Sequence, residues 1–378
     1  MTERRASVER SKSVESNRKL VFLSGMNSQP GIIRRVEALY TAGFMCKFYS
    51  YNTGIYMQNR LSEEIEQYDL GRLRDGCDHR SKLWKILLST IKIVKKEKRQ
   101  GTVYYAFGMK QALILSFLNV SYIYEISDIL YGYSKFSKVS SLLKLLDKWI
   151  IRRSRLTIMT SEGFRRWLGY AENDSKILIQ TNRLGLYYAG KRPSAKSDFN
   201  TERLVFGFVG APRSVETLGR FGRIIGTKFP HHKFSIYGES SQIGAFREVL
   251  DSYPNVEFMG SFKNPEELSS IYETIDVVVS TYDNSQLNEQ ILDTNKLYEC
   301  IFFCRPIVVS KDTYSARQVE KYRCGYSIDS SSDESIERFI KGLTTEGLKN
   351  ISTMERNLDE SISLDNSDEL IQRINQVM

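Results

Sequence analysis

The chain alternates short apolar runs, which favour β-strands, with longer segments whose apolar residues recur every three to four positions, as in helices. From residue 19 the order is strand, helix, strand, because KLVFLSG and CKFYSY flank the helical IIRRVEALYTAG. Further strand-like runs follow at TVYYAFG, VSYIYEI, LTIMT and ILIQT. Strands joined by crossover helices build parallel sheets, so the pattern predicts a doubly wound α/β fold.

A second strand-first unit follows the polar stretch GKRPSAKSDFN at residues 190–200, with the runs LVFGFVG, KFSIYGE, NVEFMGS, DVVVS and PIVVS. We therefore predict two tandem Rossmann-like domains, one over residues 19–192 and one over residues 200–350. The helical residues 356–378 are candidates to pack back on the first domain. Residues 1–18 are polar and charged, which favours a flexible tail.

Composition places the chain among ordinary globular proteins, since 41% of its 378 residues are hydrophobic and 26% are charged. Its five cysteines lack the paired C-x-x-C spacing of zinc or redox sites, which favours reduced, packed thiols. No run approaches the roughly 20 apolar residues that span a bilayer, and the start is too charged for a secretory signal. These features predict a cytoplasmic protein that is not integral to a membrane.

The net charge of +9 is unevenly distributed. Residues 1–200 carry 35 Lys+Arg against 18 Asp+Glu, and residues 201–378 carry 19 against 27. A cationic half predicts an anionic partner, which is either a membrane surface or nucleic acid. Because no nucleic-acid-binding motif is present, we favour an anionic membrane and predict no nucleic acid.

The segment 81–100 is the main candidate for that contact. Its lysines lie elsewhere on the predicted helix surface, and its apolar residues form one helical stripe: Trp84, Leu87, Leu88, Ile91 and Val94. Two alternatives remain open. The stripe either lies on an anionic membrane, or packs against the first sheet and leaves the lysines in water.

The candidate chemistry of the second half follows two strands. Gly210 ends one strand and is followed by Arg213, a pattern suited to a phosphate near backbone N–H groups. Farther on, Lys296 and Glu299 open a helix, where Lys296 is suited to neutralise a diphosphate and Glu299 to accept hydrogen bonds from a ribose. The alternatives are an ordinary strand-to-helix turn and a helix whose charged residues contact water.

These stretches resemble the GT-B glycosyltransferases of the family 4 type. The segment Asn295-Lys-Leu-Tyr-Glu299 before a Pro-initiated strand carries the likeness, together with Tyr237-Gly238-Glu239, Asn255–Gly260 and Asp276–Ser280. The first half is similar more loosely, through Pro30-Gly-Ile-Ile-Arg34. The resemblance implies two Rossmann-like domains that face each other across a cleft.

The resemblance also implies site residues. The implied donor-binding residues are Gly210, Arg213, Gly238, Glu239, Tyr282, Asn295, Lys296 and Glu299. The implied acceptor-side residues are Gly25, Pro30 and Gly31. The chain departs from the family at Ile291, where the family has a second glutamate that contacts the donor sugar. Glu289 and Asp293 flank this position, and either is a candidate replacement.

The resemblance implies transfer of a sugar from a nucleotide-sugar, with a UDP-sugar favoured. Arg213 and Lys296 are the candidates to stabilise the departing diphosphate. No Asp-x-Asp pair ends a strand, so we predict no metal and no other cofactor. Retention, which the resemblance favours, requires no protein base, whereas inversion would use Asp128 or Glu125.

The implied acceptor is a glycan or a polyprenyl-diphosphate-linked glycan, as in enzymes that assemble capsule and lipopolysaccharide. The predicted location is the cytoplasm, including the inner face of the cytoplasmic membrane. Two alternatives stay open: a non-catalytic homologue that binds a partner transferase, and a nucleotide-sugar epimerase.

Overall fold

The structure, a computed structural model, describes residues 18–52, 61–73, 79–133 and 138–378. Apart from Arg18, the tail predicted over residues 1–18 lies outside the described residues. The chain divides into two compact units. The first contains the described residues up to Tyr131, then 138–180 and Ser367–Met378, and the second contains Thr181–Asn366 with Gly132 and Tyr133.

The first unit is built on a parallel sheet of seven strands in the order β3-β2-β1-β4-β5-β6-β7. The strands are β1 (Lys19–Ser24), β2 (Met45–Asn52), β3 (Glu66–Arg72), β4 (Thr102–Phe107), β5 (Tyr122–Ile126), β6 (Leu156–Met159) and β7 (Ile177–Ile179). Its helices are α1 (Pro30–Thr41), α2 (His79–Glu97), α3 (Met109–Phe117), α4 (Ser140–Arg153), α5 (Glu162–Leu168) and, at the end of the chain, α14 (Asp368–Val377).

Alternate residues of β4 and β5 contact different helical layers. The hydroxyls of Tyr104 and Tyr122 donate hydrogen bonds to the backbone carbonyls of Val94 on α2, at 3.2 Å, and Ile150 on α4, at 2.6 Å. Tyr105, on the opposite side of β4, packs in a core that also contains residues of α1 and α14. The period of two along each strand thus places α2 and α4 on one face of the sheet, and α1 and α14 on the other.

The second unit has a parallel sheet of six strands in the order β10-β9-β8-β11-β12-β13. The strands are β8 (Val205–Val209), β9 (Lys233–Tyr237), β10 (Val256–Gly260), β11 (Val277–Ser280), β12 (Ile307–Ser310) and β13 (Gly325–Ile328). Its helices are α6 (Arg220–Lys228), α7 (Ile243–Leu250), α8 (Leu268–Thr274), α9 (Leu287–Ile291), α10 (Asn295–Phe303), α11 (Tyr314–Tyr322), α12 (Asp333–Lys341) and α13 (Thr345–Asn357).

The two sheets confirm the predicted fold class of two doubly wound α/β units. In each sheet the strand order reverses beside the first strand, between β1 and β4 and between β8 and β11. Ligands of such sheets bind outside the carboxyl ends of the strands at this reversal. The fold therefore indicates where in each unit a site is to be sought.

The chain enters the second unit at Thr181, before the polar stretch 190–200 at which the sequence places the boundary. This stretch is fixed to the second unit by specific contacts. The Arg192 guanidinium donates hydrogen bonds to the carbonyls of Leu358 at 2.6 Å and Ile301 at 2.9 Å, and Phe199 is buried in the core. The polar stretch 190–200 is therefore part of the second unit and is not a free linker.

The return to the first unit occurs at Ser367, so only part of the predicted segment 356–378 belongs there. Residues before Ser367 are hydrogen-bonded inside the second unit, where Leu184 donates its N–H to Ser363 and accepts one from Asp365, at 2.9 and 2.6 Å. In contrast, α14 buries Leu370 and Ile374 in the core of the first unit.

Glu355 on α13 is fully buried, and neither of its carboxylate oxygens has a hydrogen-bond partner among the described residues. Burial raises the pKa of this carboxyl well above its usual range, although the charges of Arg305 and Arg192 act in the opposite direction. The folded chain therefore holds a proton on Glu355 at a pH where the unfolded chain has lost it.

Replacing this carboxyl, as Glu355→Gln, is expected to make the stability less dependent on pH. The unfolded state binds fewer protons above the ordinary glutamate pKa of 4.5, so the free energy of unfolding falls as the pH rises. One such group contributes a slope of at most about 1.4 kcal/mol per pH unit. Denaturant unfolding at about pH 5 and about pH 8 measures this difference.

The matched control is Glu346→Gln, which removes an exposed carboxyl from the same helix. We expect the control to follow the wild-type dependence on pH. A Glu355→Gln variant whose stability changes with pH as much as that of the wild type would contradict the assignment of a buried proton.

Candidate nucleotide-binding site of the second unit

The carboxyl ends of β8 and β11 carry two of the predicted site regions. β8 runs directly into Gly210, and β11 is followed by Tyr282. These two strands are neighbours at the point where the strand order reverses. The topology therefore brings together residues that lie about seventy positions apart in the sequence.

Glycines allow the backbone segments at this edge to approach each other closely. Gly210 and Gly238 both have positive φ, of 126° and 119°. A Cβ on Gly238 would lie only 2.0 Å from the carbonyl oxygen of Gly210, closer than any side chain allows. Gly238 also donates its N–H to the carbonyl of Gly260 at 2.7 Å. Gly238 is thus required by the packing of β8 against β9.

Lys296 lies on the first turn of α10 and is only 8% exposed. Its Nζ donates a hydrogen bond to the Tyr282 hydroxyl at 3.0 Å and lies 4.3 Å from the centre of the Phe208 ring. A Cβ placed on Gly210 would lie 3.4 Å from the same nitrogen. Among the described residues, no carboxylate is within ion-pairing distance of it. The structure therefore joins Gly210, Tyr282 and Lys296 around one buried ammonium group.

Tyr282 is held in place through its backbone. The Ser310 hydroxyl accepts a hydrogen bond from the Tyr282 N–H at 2.9 Å and donates one to the Tyr282 carbonyl at 2.7 Å. The side chain of Ser310 thereby fixes the loop that follows β11 to the end of β12. This contact orients the tyrosine that accepts from Lys296.

Glu299 follows Lys296 by three positions and is half-buried on α10. The Tyr272 hydroxyl donates a hydrogen bond to its Oε2 at 2.6 Å. Burial and the neighbouring Glu299 charge raise the pKa of Tyr272 well above its usual range, so the hydroxyl keeps its proton. Glu299 is therefore a positioned hydrogen-bond acceptor.

Three further predicted donor-binding residues are exposed on this part of the unit. Arg213 lies on the loop after β8, and Glu239 follows Gly238 at the end of β9. Asn295 is the first residue of α10, where helix N–H groups are available to an anion. The structure places these residues at the same edge of the sheet as Lys296.

Ile291, where the family that the sequence resembles has a second glutamate, is the last residue of α9. Of the two candidate replacements, Glu289 is buried on α9, whereas Asp293 is half-buried just before α10. Burial raises the pKa of Asp293 to about 7, although a hydrogen bond from Tyr298 lowers it. That bond is 2.6 Å long and reaches Oδ2, and Oδ1 has no hydrogen-bond partner among the described residues.

The residues predicted for the acceptor side lie near the equivalent edge of the first unit. Gly25 directly follows β1, and Pro30 and Gly31 are the first two residues of α1. A Cβ on Gly25 would lie 3.8 Å from Nε2 of the buried Gln111. Asp128, two residues beyond β5, is half-exposed. Gly25 and Asp128 thus lie just beyond strand ends, whereas Pro30 and Gly31 lie at the start of the helix after β1, and the role of all four stays a prediction.

Glu125 does not suit the role of a general base. It is 2% exposed, accepts a hydrogen bond from the Tyr105 hydroxyl, and pairs with the equally buried Arg35 at 3.2 Å. Arg35 also donates to the carbonyl of Gln180 at 3.3 Å. The Glu125 side chain points into the core and links β4, β5 and α1, so its burial removes it from the candidate catalytic residues.

Two properties of the described part of the chain bear on ligands and membranes. Within it, no group of three or more His, Cys, Asp or Glu side chains is placed to hold a metal ion. None of its helices combines the length and the apolar character that a membrane span requires.

The close approach of Gly238 to Gly210 leads to a stability prediction. Gly238→Ala is expected to lower the free energy of unfolding by about 2 kcal/mol or more, because the methyl group meets a backbone oxygen at positive φ. Denaturant unfolding measures the change. The control is Gly244→Ala in α7, where a Cβ meets nothing within 4 Å and should stabilise the helix by up to about 1 kcal/mol. Equal stability of the two variants would contradict the close packing.

No protein-family model matches this chain, and no curated protein matches its sequence. Solved structures do match its fold. HepE from Anabaena, in complex with UDP and glucose, gives a TM-score of 0.65 at 13% identity, covering 95% of this chain and 98% of that chain. Sucrose-phosphate synthase from Thermosynechococcus elongatus gives 0.69 at 13% identity with the same coverage.

A third similar structure is WaaG, a glycosyltransferase involved in lipopolysaccharide biosynthesis. It gives a TM-score of 0.62 at 14% identity and covers 90% of this chain and 96% of that chain. Similarity at this level of identity establishes the fold, whereas membership of family 4 stays a prediction. The chain therefore has the GT-B fold, with two Rossmann-like units.

Proposed function

We propose that the chain is a glycosyltransferase that moves a sugar from a nucleotide-sugar to an acceptor, with the donor's diphosphate bound by the second unit. The buried Lys296 ammonium at the strand-order reversal is the observation that carries this proposal. Burial of a charge is costly unless an opposite charge accompanies it. Because no described carboxylate supplies that charge, an anionic ligand is the partner that the site lacks.

A nucleoside diphosphate fits the geometry around Lys296. Gly210 leaves space beside the ammonium group, and the first turn of α10 adds backbone N–H groups and the positive end of a helix dipole. Glu299, held by Tyr272, is suited to accept hydrogen bonds from the ribose hydroxyls. We favour UDP as the nucleotide, in line with the UDP in the HepE structures.

The reaction that we propose needs charge stabilisation on the leaving group more than acid–base chemistry. As the sugar–phosphate bond breaks, negative charge grows on the diphosphate, and Lys296 and Arg213 are the residues that we expect to stabilise it. These cations take the role that a divalent metal has elsewhere, so we propose a metal-independent reaction. We also propose retention of configuration, for which the leaving phosphate accepts the acceptor's proton; inversion would leave Asp128 as the candidate base.

For the acceptor, we propose a glycan or a polyprenyl-diphosphate-linked glycan, bound by the first unit near Gly25, Pro30 and Gly31. The excess of Lys+Arg in residues 1–200 supports an anionic acceptor or its anionic surroundings. This acceptor would place the protein in the cytoplasm. A non-catalytic homologue that binds a partner transferase is the second candidate, favoured by the apolar Ile291 where the family has a glutamate.

Calorimetric titration with UDP and GDP tests the donor site. We expect the wild type to bind one of them and the Lys296→Met variant to bind about 10 to 100 times more weakly, because a charge-assisted contact is lost. The same substitution removes a buried, unpaired charge, so thermal unfolding should show unchanged or increased stability. Glu299→Ala is expected to weaken binding as well, through the loss of the ribose contact.

The matched control is Lys263→Met, which removes an exposed lysine from the same unit and should not affect binding. Nucleotide binding that survives Lys296→Met would refute the proposed diphosphate site. Failure of the wild type to bind any nucleoside diphosphate would favour the non-catalytic candidate.

Metal independence is a separate prediction. Removing divalent metals with EDTA is expected to leave the dissociation constant of the bound nucleotide unchanged within about twofold, because side chains and helix N–H groups supply the compensating charge. The measurement is the same titration in EDTA and in Mg²⁺. A loss of binding in EDTA that Mg²⁺ restores would show that a metal bridges the diphosphate to the protein.

A further inference from the structure

The outer surface of α2, α3 and α4 combines exposed apolar side chains with positive charge. These helices cover one face of the first sheet, and α3 contacts both of its neighbours. The largest exposed apolar groups are Trp84 at 62%, Phe117 at 73% and Leu142 at 67%. Such side chains, gathered on neighbouring helices, indicate a surface that binds a partner.

The apolar groups form connected stripes. Leu142 and Leu145 on α4 are three positions apart, and Trp149 follows four positions later on the same side of the helix. The Trp149 ring lies 5.3 Å from the Phe117 ring at the end of α3, so the apolar surface continues from one helix to the next. Both leucines are exposed, which shows that this stripe points away from the sheet.

On α2, the apolar stripe that the sequence predicts for the segment 81–100 is only partly buried. Ile86, Ile93 and Val94 are buried against the sheet, whereas Trp84 and Leu88 are exposed. The stripe inferred from the sequence is therefore divided: its end at Val94 packs in the unit, and its beginning lies on the surface. The helix thus has a buried apolar face, which stabilises the fold. It also has exposed apolar residues, Trp84 and Leu88, which do not pack in the core.

On the three helices, the described acidic side chains are buried and the basic ones are far more numerous. Their described side chains include ten Lys and Arg, among them Lys92, Lys95, Lys96, Lys110, Arg152 and Arg153, and two acids, Glu97 and Asp147. Both acids are buried.

The two acids are also compensated from the inner side. Glu97 forms an ion pair with Lys19 and accepts a hydrogen bond from the Tyr49 hydroxyl. Asp147 accepts from the hydroxyls of Tyr124 and Tyr131 at 2.9 and 2.7 Å. The described charged side chains on the outside of these helices are consequently all basic.

We propose that this outer surface of α2, α3 and α4 docks the protein on a bilayer that contains anionic lipid. Lysines and arginines bind the headgroups, and the Trp84, Leu88, Phe117, Leu142 and Leu145 side chains enter the apolar boundary below them. Residues 201–378, with 19 Lys+Arg against 27 Asp+Glu, are repelled by the same surface, so only the first unit docks. Docking uses none of the residues assigned to the donor, and its failure would leave nucleotide binding untouched.

Vesicle flotation with the full chain tests the proposal. The vesicles contain either neutral phosphatidylcholine alone or phosphatidylcholine with about one third phosphatidylglycerol. We expect binding to the anionic vesicles only, and a marked loss of binding between about 0.1 M and about 0.5 M salt. The double variant Lys92→Glu with Lys95→Glu is expected to bind at least about tenfold more weakly. Leu142→Ser with Leu145→Ser should also weaken binding.

Each double variant has a matched control on the second unit. Lys263→Glu with Lys321→Glu makes the same change in net charge, and Val249→Ser with Met259→Ser removes exposed apolar groups of similar size. Both controls are expected to bind vesicles like the wild type, and thermal unfolding confirms that all variants fold.

Three results would overturn the proposal. They are absence of binding to anionic vesicles at low salt, equal weakening by the lysine variant and its control, and insensitivity to the two leucine substitutions. If the leucine substitutions have no effect and a DNA duplex binds as tightly as the anionic vesicles, the surface attracts polyanions in general and is not a membrane-docking surface.

Discussion

A positive charge buried without a described carboxylate partner is the constraint on which the proposed site depends. The Lys296 ammonium is accommodated by the Phe208 ring, the Tyr282 hydroxyl and the space that Gly210 leaves. The ring and the hydroxyl stabilise a cation only weakly, through a quadrupole and a dipole, and Gly210 contributes space alone. The Lys296 charge therefore has no described carboxylate to compensate it. An anion that binds beside it would offset part of the free energy lost when the charge is buried.

The two units use the same topology with different polar groups at the strand-order reversal. In the second unit, the side chain nearest to Gly210 is the charged Lys296. In the first unit, the neutral amide of Gln111 lies beside Gly25 and Gly108, with Cβ positions 3.8 and 4.0 Å from its Nε2 and Oε1. An amide offers two N–H donors, one accepting oxygen and no net charge, which suits hydroxyl groups better than a diphosphate. This difference is consistent with a donor site in the second unit and an acceptor site in the first.

The sequence was sufficient for most of the fold because most strands are buried on both faces and therefore apolar. The edge strand β3 was missed because its sequence EQYDLGR is polar and shows no alternation of apolar and polar residues. The individual site residues were harder to judge. Glu125 and Asp128 are only three positions apart, and the burial of Glu125 with its contacts to Arg35 and Tyr105 separates a core carboxylate from a more accessible one.

On the proposed assignment of the donor site, net charge is a poor guide to where an anion binds. The site lies in the half of the chain that has more acids than bases, and a simple charge count would assign the diphosphate to the other half. Exposed acids act over the Debye length of about 8 Å at physiological salt, beyond which their repulsion is screened. A buried ammonium is screened much less and acts at contact distance, so Lys296 and the start of α10 outweigh the acidic surface. The excess of bases in the first half, sorted to the outside of three helices, acts over a surface and therefore suits an extended anionic partner.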